Sequence, residues 1–209
     1  ATGKSVESLS TSEFIEVMLS TKQPKFFAES AIQGGGIDWN NSELAILGDI
    51  NVTVPVKIYD NGVWDPSGPG FAVHQKPLDG ELLFTPGALL KSGPGFVGKT
   101  PDLDEVTKNG KIDQEAYNAL VERRLLPLLV HANEKAGLEG KPALITLPGV
   151  GAGEFAGKFK GKMGEHLNIA IQAMLEKHSG NLGNIAAIHY DSFAECTNQQ
   201  KNYGNIKYR

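Results

Sequence analysis

An apolar run, Ala143 to Leu147, passes into Pro148-Gly149-Val150-Gly151-Ala152-Gly153-Glu154-Phe155-Ala156 and then into an amphipathic stretch from Phe159 to His178. A short buried-type strand, a turn of alternating glycines and a helix in that order leave few architectures open. Such a strand needs cover on its faces, and a helix with one apolar stripe supplies it. The turn is also the place where a backbone cradle for phosphate would be built. Glycines allow positive φ and close approach, so successive N–H groups can converge on an anion while the helix start adds its positive end. Gly149, Gly151 and Gly153 would equally make a tight strand-to-helix turn that binds nothing.

The rest of the chain supplies strands and helices in alternation. Ser10 and Glu13 have capping-box spacing, and Phe14 to Leu19 predict a short helix within an extension covering residues 1–43. Leu44 to Leu47 and the alternating Val52, Val54, Val56 and Ile58 read as strand, ended by a turn at Asp60-Asn61-Gly62. Residues 61–80, with Pro66, Gly68, Pro69 and Gly70, read as a long loop, and Glu81 to Thr85 as a strand stopped at Pro86. A second irregular stretch reaches Lys111, and Asp113 caps a helix running to Ala136 with Gly137 as its stop and Pro127 inside it, where a kink is expected. Asn184 to Tyr190 reads as the last strand, and the polar tail 194–209 as irregular. Together these predict an α/β layered domain over residues 44–193.

Composition closes off other classes. At 209 residues the chain can bury a core without disulfides, and Cys196 is its only cysteine. The longest apolar run, Leu125 to Val130, is far short of the roughly 20 residues a bilayer requires, and Ala1 to Leu9 show no signal-peptide pattern. A soluble protein is expected, with no membrane partner and its compartment unread. A net charge of −4 gives no general field for nucleic acid, so an anionic ligand must be held by local donors.

Specific motifs fail as well. The positions five before Gly157-Lys158 and Gly161-Lys162 are Ala152 and Ala156, so no Walker A loop is present. Gly151-x-Gly153-x-x-Ala156 fits the dinucleotide fingerprint as a string, but only one clear strand follows it. His74, His131, His166, His178 and His189 lack ligand-type spacing, so no metal or cofactor is expected. No Gly-x-Ser-x-Gly elbow occurs.

Four segments in order, Leu47-Gly48-Asp49-Ile50, Leu82 to Leu89 with Thr85-Pro86-Gly87, Leu144 to Phe155, and Ile185 to Asp191, resemble the macrodomain superfamily, which binds ADP-ribose. The resemblance spans about residues 44–193 and implies a three-layer α/β/α sandwich around a mixed sheet. It implies that Asp49 accepts the adenine amino group and that the backbone of Ile50 touches the base. Gly149, Val150, Gly151, Ala152, Gly153 and Phe155 resemble the loop around the diphosphate and distal ribose, and Tyr190 and Phe193 resemble aromatics that flank adenine. In place of the Asn-Ala-Ala-Asn run of many members stands Tyr59-Asp60-Asn61-Gly62, in which Asn61 and Gly62 could hold the distal ribose. This departure points to a divergent branch near the microbial glycohydrolase-like members.

Two functions follow from the resemblance. A hydrolase removing ADP-ribose from protein needs a carboxylate to position or activate water, and Asp60, Asp65 and Glu154 are the candidates. A reader of ADP-ribose or ADP-ribosylated protein needs the same loop but none of the three. A domain with a degenerate pocket would bind no nucleotide.

Overall fold

The computed structural model describes residue 3 and residues 5–21, 26–28, 31–33, 48–68, 70–92 and 100–209. The apolar run Leu44 to Leu47 and the glycines at 34–36 lie outside the described residues. Helix α1 (Thr11–Thr21) starts as its sequence requires: the Ser10 hydroxyl accepts from the Glu13 N–H at 3.3 Å, and the Ser10 N–H donates to the Glu13 carboxylate at 2.9 Å. Strands β1 (Phe26–Ala28) and β2 (Ala31–Gln33) form an antiparallel hairpin after it.

Where a long loop was expected, the chain builds a ribbon. Strands β3 (Val52–Asp65) and β4 (Gly70–Phe84) pair antiparallel from Val52 opposite Phe84 out to Asp65 opposite Gly70. Asp60-Asn61-Gly62 does not end β3. Gly62 sits at φ 69° and donates its N–H to the Asp60 carboxylate at 2.7 Å, and the register shifts around Asp60, so the turn signal is absorbed as a bulge. The β-forming residues beyond it continue the strand, and Trp64 meets Phe71 edge to face with ring centroids 5.3 Å apart. The reversal falls at Pro66 to Gly68 instead. Pro77 is tolerated because a two-stranded ribbon leaves half its N–H groups without a ladder partner.

Short helix α2 (Pro101–Val106) and the small hairpin β5 (Thr107–Lys108) and β6 (Lys111–Ile112) occupy the second stretch expected to be irregular. Helix α3 (Gln114–Glu139) is capped by Asp113, whose carboxylate accepts from the Ala116 N–H at 3.3 Å. It runs unbroken through Pro127 and ends at Gly140, φ 64°, one turn past the expected stop. Gly137 is a packing position rather than a stop: a Cβ there would lie 2.7 Å from the Asn184 side chain.

The central sheet is mixed and has the order β7 (Ala143–Pro148), β8 (Ile185–Asp191), β10 (Ile206–Tyr208), β9 (Lys201–Tyr203). The first three are parallel to one another, and β9 is antiparallel to β10. The tail expected to be irregular therefore completes the sheet. Its strands bury Tyr203, Ile206 and Tyr208, and the Asn205 side chain donates to the carbonyls of Gly183 and Ile185 at 2.8 and 2.9 Å. Helix α4 (Met163–His178) and α3 pack on each other and share one core with the sheet, including Leu120, Leu125, Leu167, Ile171, Ile185 and Ile206. The outcome is the α/β class that the alternation predicted. Among the described residues, no helix is long and apolar enough to cross a membrane.

Half-buried His166, beside this core, is expected to make stability depend on pH. His166 on α4 donates from Nδ1 to the Gln114 side chain at 2.5 Å and lies edge-on to Tyr117. Burial pushes its imidazole below the ordinary value of 6.5, with Lys162 acting in the same direction and Glu165 opposing. A histidine whose pKa is depressed by folding contributes stability that is present above pH 6.5 and lost as the pH falls below it. Urea midpoints at pH 7.5 and 5.5 should show a smaller drop for His166→Asn than for the parent, while equal drops would remove His166 from the acid limb.

Candidate functional site

Ligands of open α/β sheets bind outside the carboxyl ends of the parallel strands. Here β7 and β8 end level, Pro148 opposite Asp191, so the loops that follow them emerge side by side. The glycine loop leaves β7 through two tight turns, the Val150 N–H donating to the Pro148 carbonyl at 2.7 Å and the Ala152 N–H to Gly149 at 3.0 Å. A 3-10 turn over Glu154–Phe159 follows.

The loop is braced from one side by residues 85–91. Gly151 stands at φ 82°, and a Cβ on it would lie 3.0 Å from the Ala88 nitrogen, while a Cβ on Gly87 would lie 2.3 Å from the Gly151 nitrogen. The two backbones touch where neither has a side chain. The Leu90 N–H donates to the Phe155 carbonyl at 2.8 Å, and a Cβ on Gly157 would lie 2.8 Å from the Lys91 Cα. Gly149 is covered by the Phe193 ring, 3.1 Å from where its Cβ would be, whereas Gly153 faces open space. Packing and ligand access thus divide the three glycines: Gly151 joins backbones, and Gly153 stands clear.

The helix dipole expected behind this loop is already taken. Gly157 and Gly161, at φ 53° and 87°, delay α4 until Met163, and its N-terminus receives the Glu195 carboxylate. The N–H groups of Gly161 and Gly164 donate to the two Glu195 oxygens at 3.1 and 2.7 Å. An anion on the glycine loop is therefore left to the loop amides and to side chains.

Phe193 is the exposed aromatic of the site. It has φ 53°, rare for a bulky residue, and its N–H is held by the Asp191 carboxylate at 2.9 Å. Ala194 follows at φ 66° and lines a cleft of about 600 Å³ at the carboxyl ends of β8 and β10. Tyr190 is placed differently. Its ring stacks on Tyr208 in the core and its hydroxyl donates to the Gly164 carbonyl at 2.8 Å, so it supports the sheet end rather than standing in the open. Ala152 is buried, and Val150 is packed against the core.

The carboxylate candidates separate. Glu154 stands on the glycine loop and is ion-paired with Lys91 of the facing segment. Asp60 and Asp65 do not join it. On β4, Asp79, Gly80, Glu81 and Leu83 line a cleft of about 610 Å³ with Lys141 to Ile145, at the amino end of β7, the end of that strand opposite the loop. About 26 Å of strand separates Asp60 from Val52. Asp65 is further out still and spends its carboxylate on the Ser67 N–H and hydroxyl at 2.9 and 2.7 Å, which hold it below the usual carboxylate range. Gly62 and the backbone of Asn61 share this position, and the Asn61 side chain lies outside the described atoms. The sequence pattern could not reveal this, because it read the ribbon as a loop free to fold back.

Asp49 lies beside half-buried Ile50. Its carboxylate accepts from Arg123 Nε at 2.8 Å and Arg124 Nε at 3.0 Å, one oxygen each. Arg124 is buried and shares a cavity of about 20 Å³ with Gly87 and Val150, so the Asp49 cluster and the glycine loop back onto the same segment. Neither arginine, nor Lys91, nor Glu195 carried a signal in the sequence, because each partner lies 18 or more residues away. Among the described residues no group of His, Cys, Asp or Glu could hold a metal ion.

The model of one protein family, described as the macrodomain effector MavL, matches residues 1–209. Among curated proteins none matches the chain.

Proposed function

We propose that this chain, which belongs to the macrodomain effector MavL family, binds ADP-ribose at the carboxyl ends of β7 and β8. The observation that carries the reading is the glycine loop at that end of the sheet, with Gly151 locked against Gly87 and Gly153 standing open. The diphosphate lies along the open side of the loop at Gly153, since the Val150 and Ala152 N–H groups are spent on the loop's own turns, Phe193 covers one side of the ligand, and Asp49 with Ile50 takes the adenine. In a net-acidic protein these local donors substitute for a general field.

Within that reading, hydrolysis of ADP-ribose from modified protein rests on Glu154, the one candidate carboxylate on the loop. Its carboxylate, ion-paired with Lys91, can take a proton from the water that attacks the anomeric carbon as the bond to the protein side chain breaks and that side chain departs. A reader of ADP-ribosylated protein would use the same pocket without this step.

Calorimetric titration with ADP-ribose, with AMP and NAD as controls, is the first test. Saturable binding that prefers ADP-ribose is expected, and its absence would overturn the reading. Glu154→Gln should retain ADP-ribose binding within about threefold while turnover on ADP-ribosylated protein falls by about 10²–10⁴-fold, the range of general-base catalysis. Unchanged turnover would remove Glu154 from the chemistry, and no turnover by the parent chain would identify a reader.

A further inference from the structure

Arg123 and Arg124 are adjacent on α3 and use their guanidinium groups in the same way. Arg123 gives Nη1 and Nη2 to the two oxygens of Glu105 at 2.9 and 3.0 Å, and Arg124 gives Nη1 and Nη2 to the two oxygens of Asp102 at 3.0 and 2.7 Å. Both carboxylates stand on α2, three residues apart, so each fork is fixed from behind. Each Nε is then left facing outward, and the two converge on separate oxygens of Asp49. Three carboxylates share two guanidinium groups, and Asp49, the one that accepts from both arginines, keeps 34% of its side-chain surface exposed. Gly48 is part of the arrangement, since a Cβ there would lie 2.3 Å from Arg124 Nη2.

A carboxylate held only by its own torsions rotates, and a rotating acceptor discriminates poorly between donors and acceptors on a base. Two Nε–H bonds on different oxygens define the carboxylate plane. Each oxygen keeps a lone pair free, directed away from the arginines.

We propose that Arg123 and Arg124 are positioning residues that set the base preference of the site by fixing the plane of the Asp49 carboxylate. The proposal rests on the ADP-ribose reading and adds to it the residues that make the pocket select a base carrying an exocyclic amino group. Such a group donates to the fixed carboxylate, whereas the carbonyl of hypoxanthine at the same position presents a lone pair to a negative charge.

The test compares ADP-ribose with inosine diphosphate ribose by calorimetry on the full chain. The parent should prefer ADP-ribose by about tenfold or more, the worth of a hydrogen bond to a charged group. Arg123 is half-exposed, so Arg123→Gln should leave the thermal midpoint nearly unchanged while the preference falls to within about twofold. Glu105→Gln, which loosens the Arg123 fork and leaves its charge, should move the preference the same way by less. A merely structural role would lower stability without changing the ratio. A ratio unchanged in Arg123→Gln, or a parent that binds both nucleotides equally, overturns the proposal. A parent that binds neither overturns the ADP-ribose reading itself.

Discussion

Gly151→Glu is expected to abolish ADP-ribose binding, with a loss of more than about 100-fold. Two independent effects add. At φ 82° any side chain is strained, by about 1–2 kcal/mol for the left-handed region, and the new Cβ would press on the Ala88 nitrogen, which is backbone and cannot swing away. The carboxylate then brings a negative charge to the loop assigned to the diphosphate. At an effective dielectric of 20, two unit charges 4 Å apart repel by about 4 kcal/mol. Gly151→Ala separates the terms because it carries the strain without the charge. It should weaken binding by about tenfold and lower the urea midpoint, and Glu should exceed it by at least another tenfold. If Ala and Glu weaken ADP-ribose binding equally, the loop does not face the diphosphate.

This prediction rests on a position visible in the sequence, and its neighbours show where such legibility stops. Gly149, Gly151 and Gly153 announced a loop between strand and helix, and Asp113 with the long apolar stripe of α3 announced a helix, because both signals are local. The β3–β4 ribbon was not legible. Gly62 and Pro66 carry turn chemistry, and only pairing with β4 shows that the first makes a bulge while the second begins the reversal. That single difference moves Asp60 and Asp65 away from the loop. Strands β9 and β10 are three residues each, too short for a period-two pattern to stand out, yet they complete the sheet beside β8. The occupied N-terminus of α4 was hidden for a further reason. Glu195 lies 31 residues from the Gly164 N–H it accepts, and nothing in its own neighbourhood marks it as a cap. Asp49 stood out only through resemblance, and its arginines not at all. Long-range pairing of charges is a property of the fold and leaves no periodic trace in the chain.

Arg124→Met is expected to be the most destabilising single change in the Asp49 cluster, by about 3–5 kcal/mol, because it removes one partner of a buried ion pair and leaves the other in place. Arg124 and Asp102 are 2% and 7% exposed. Asp102 also accepts the Leu89 N–H at 2.8 Å, so it cannot turn toward solvent without leaving that backbone group unpaired. For a chain of this size the loss amounts to a fall in thermal midpoint of about 10 °C. Methionine fills most of the volume, so the cost is chiefly electrostatic and should be recoverable. Asp102→Asn in the Arg124→Met background keeps an oxygen for Leu89 and removes the stranded charge, and should restore about half of the lost stability. In a parent background the same Asp102→Asn change should destabilise, since it breaks the fork from the other side. Urea unfolding of the parent, both single variants and the double variant gives the coupling directly. Additive losses in that cycle would mean that the pair is not the source of the stability. A coupling of about 2 kcal/mol or more would show that α2 and α3 are joined through it, and with them the segment that carries Gly87 to the glycine loop.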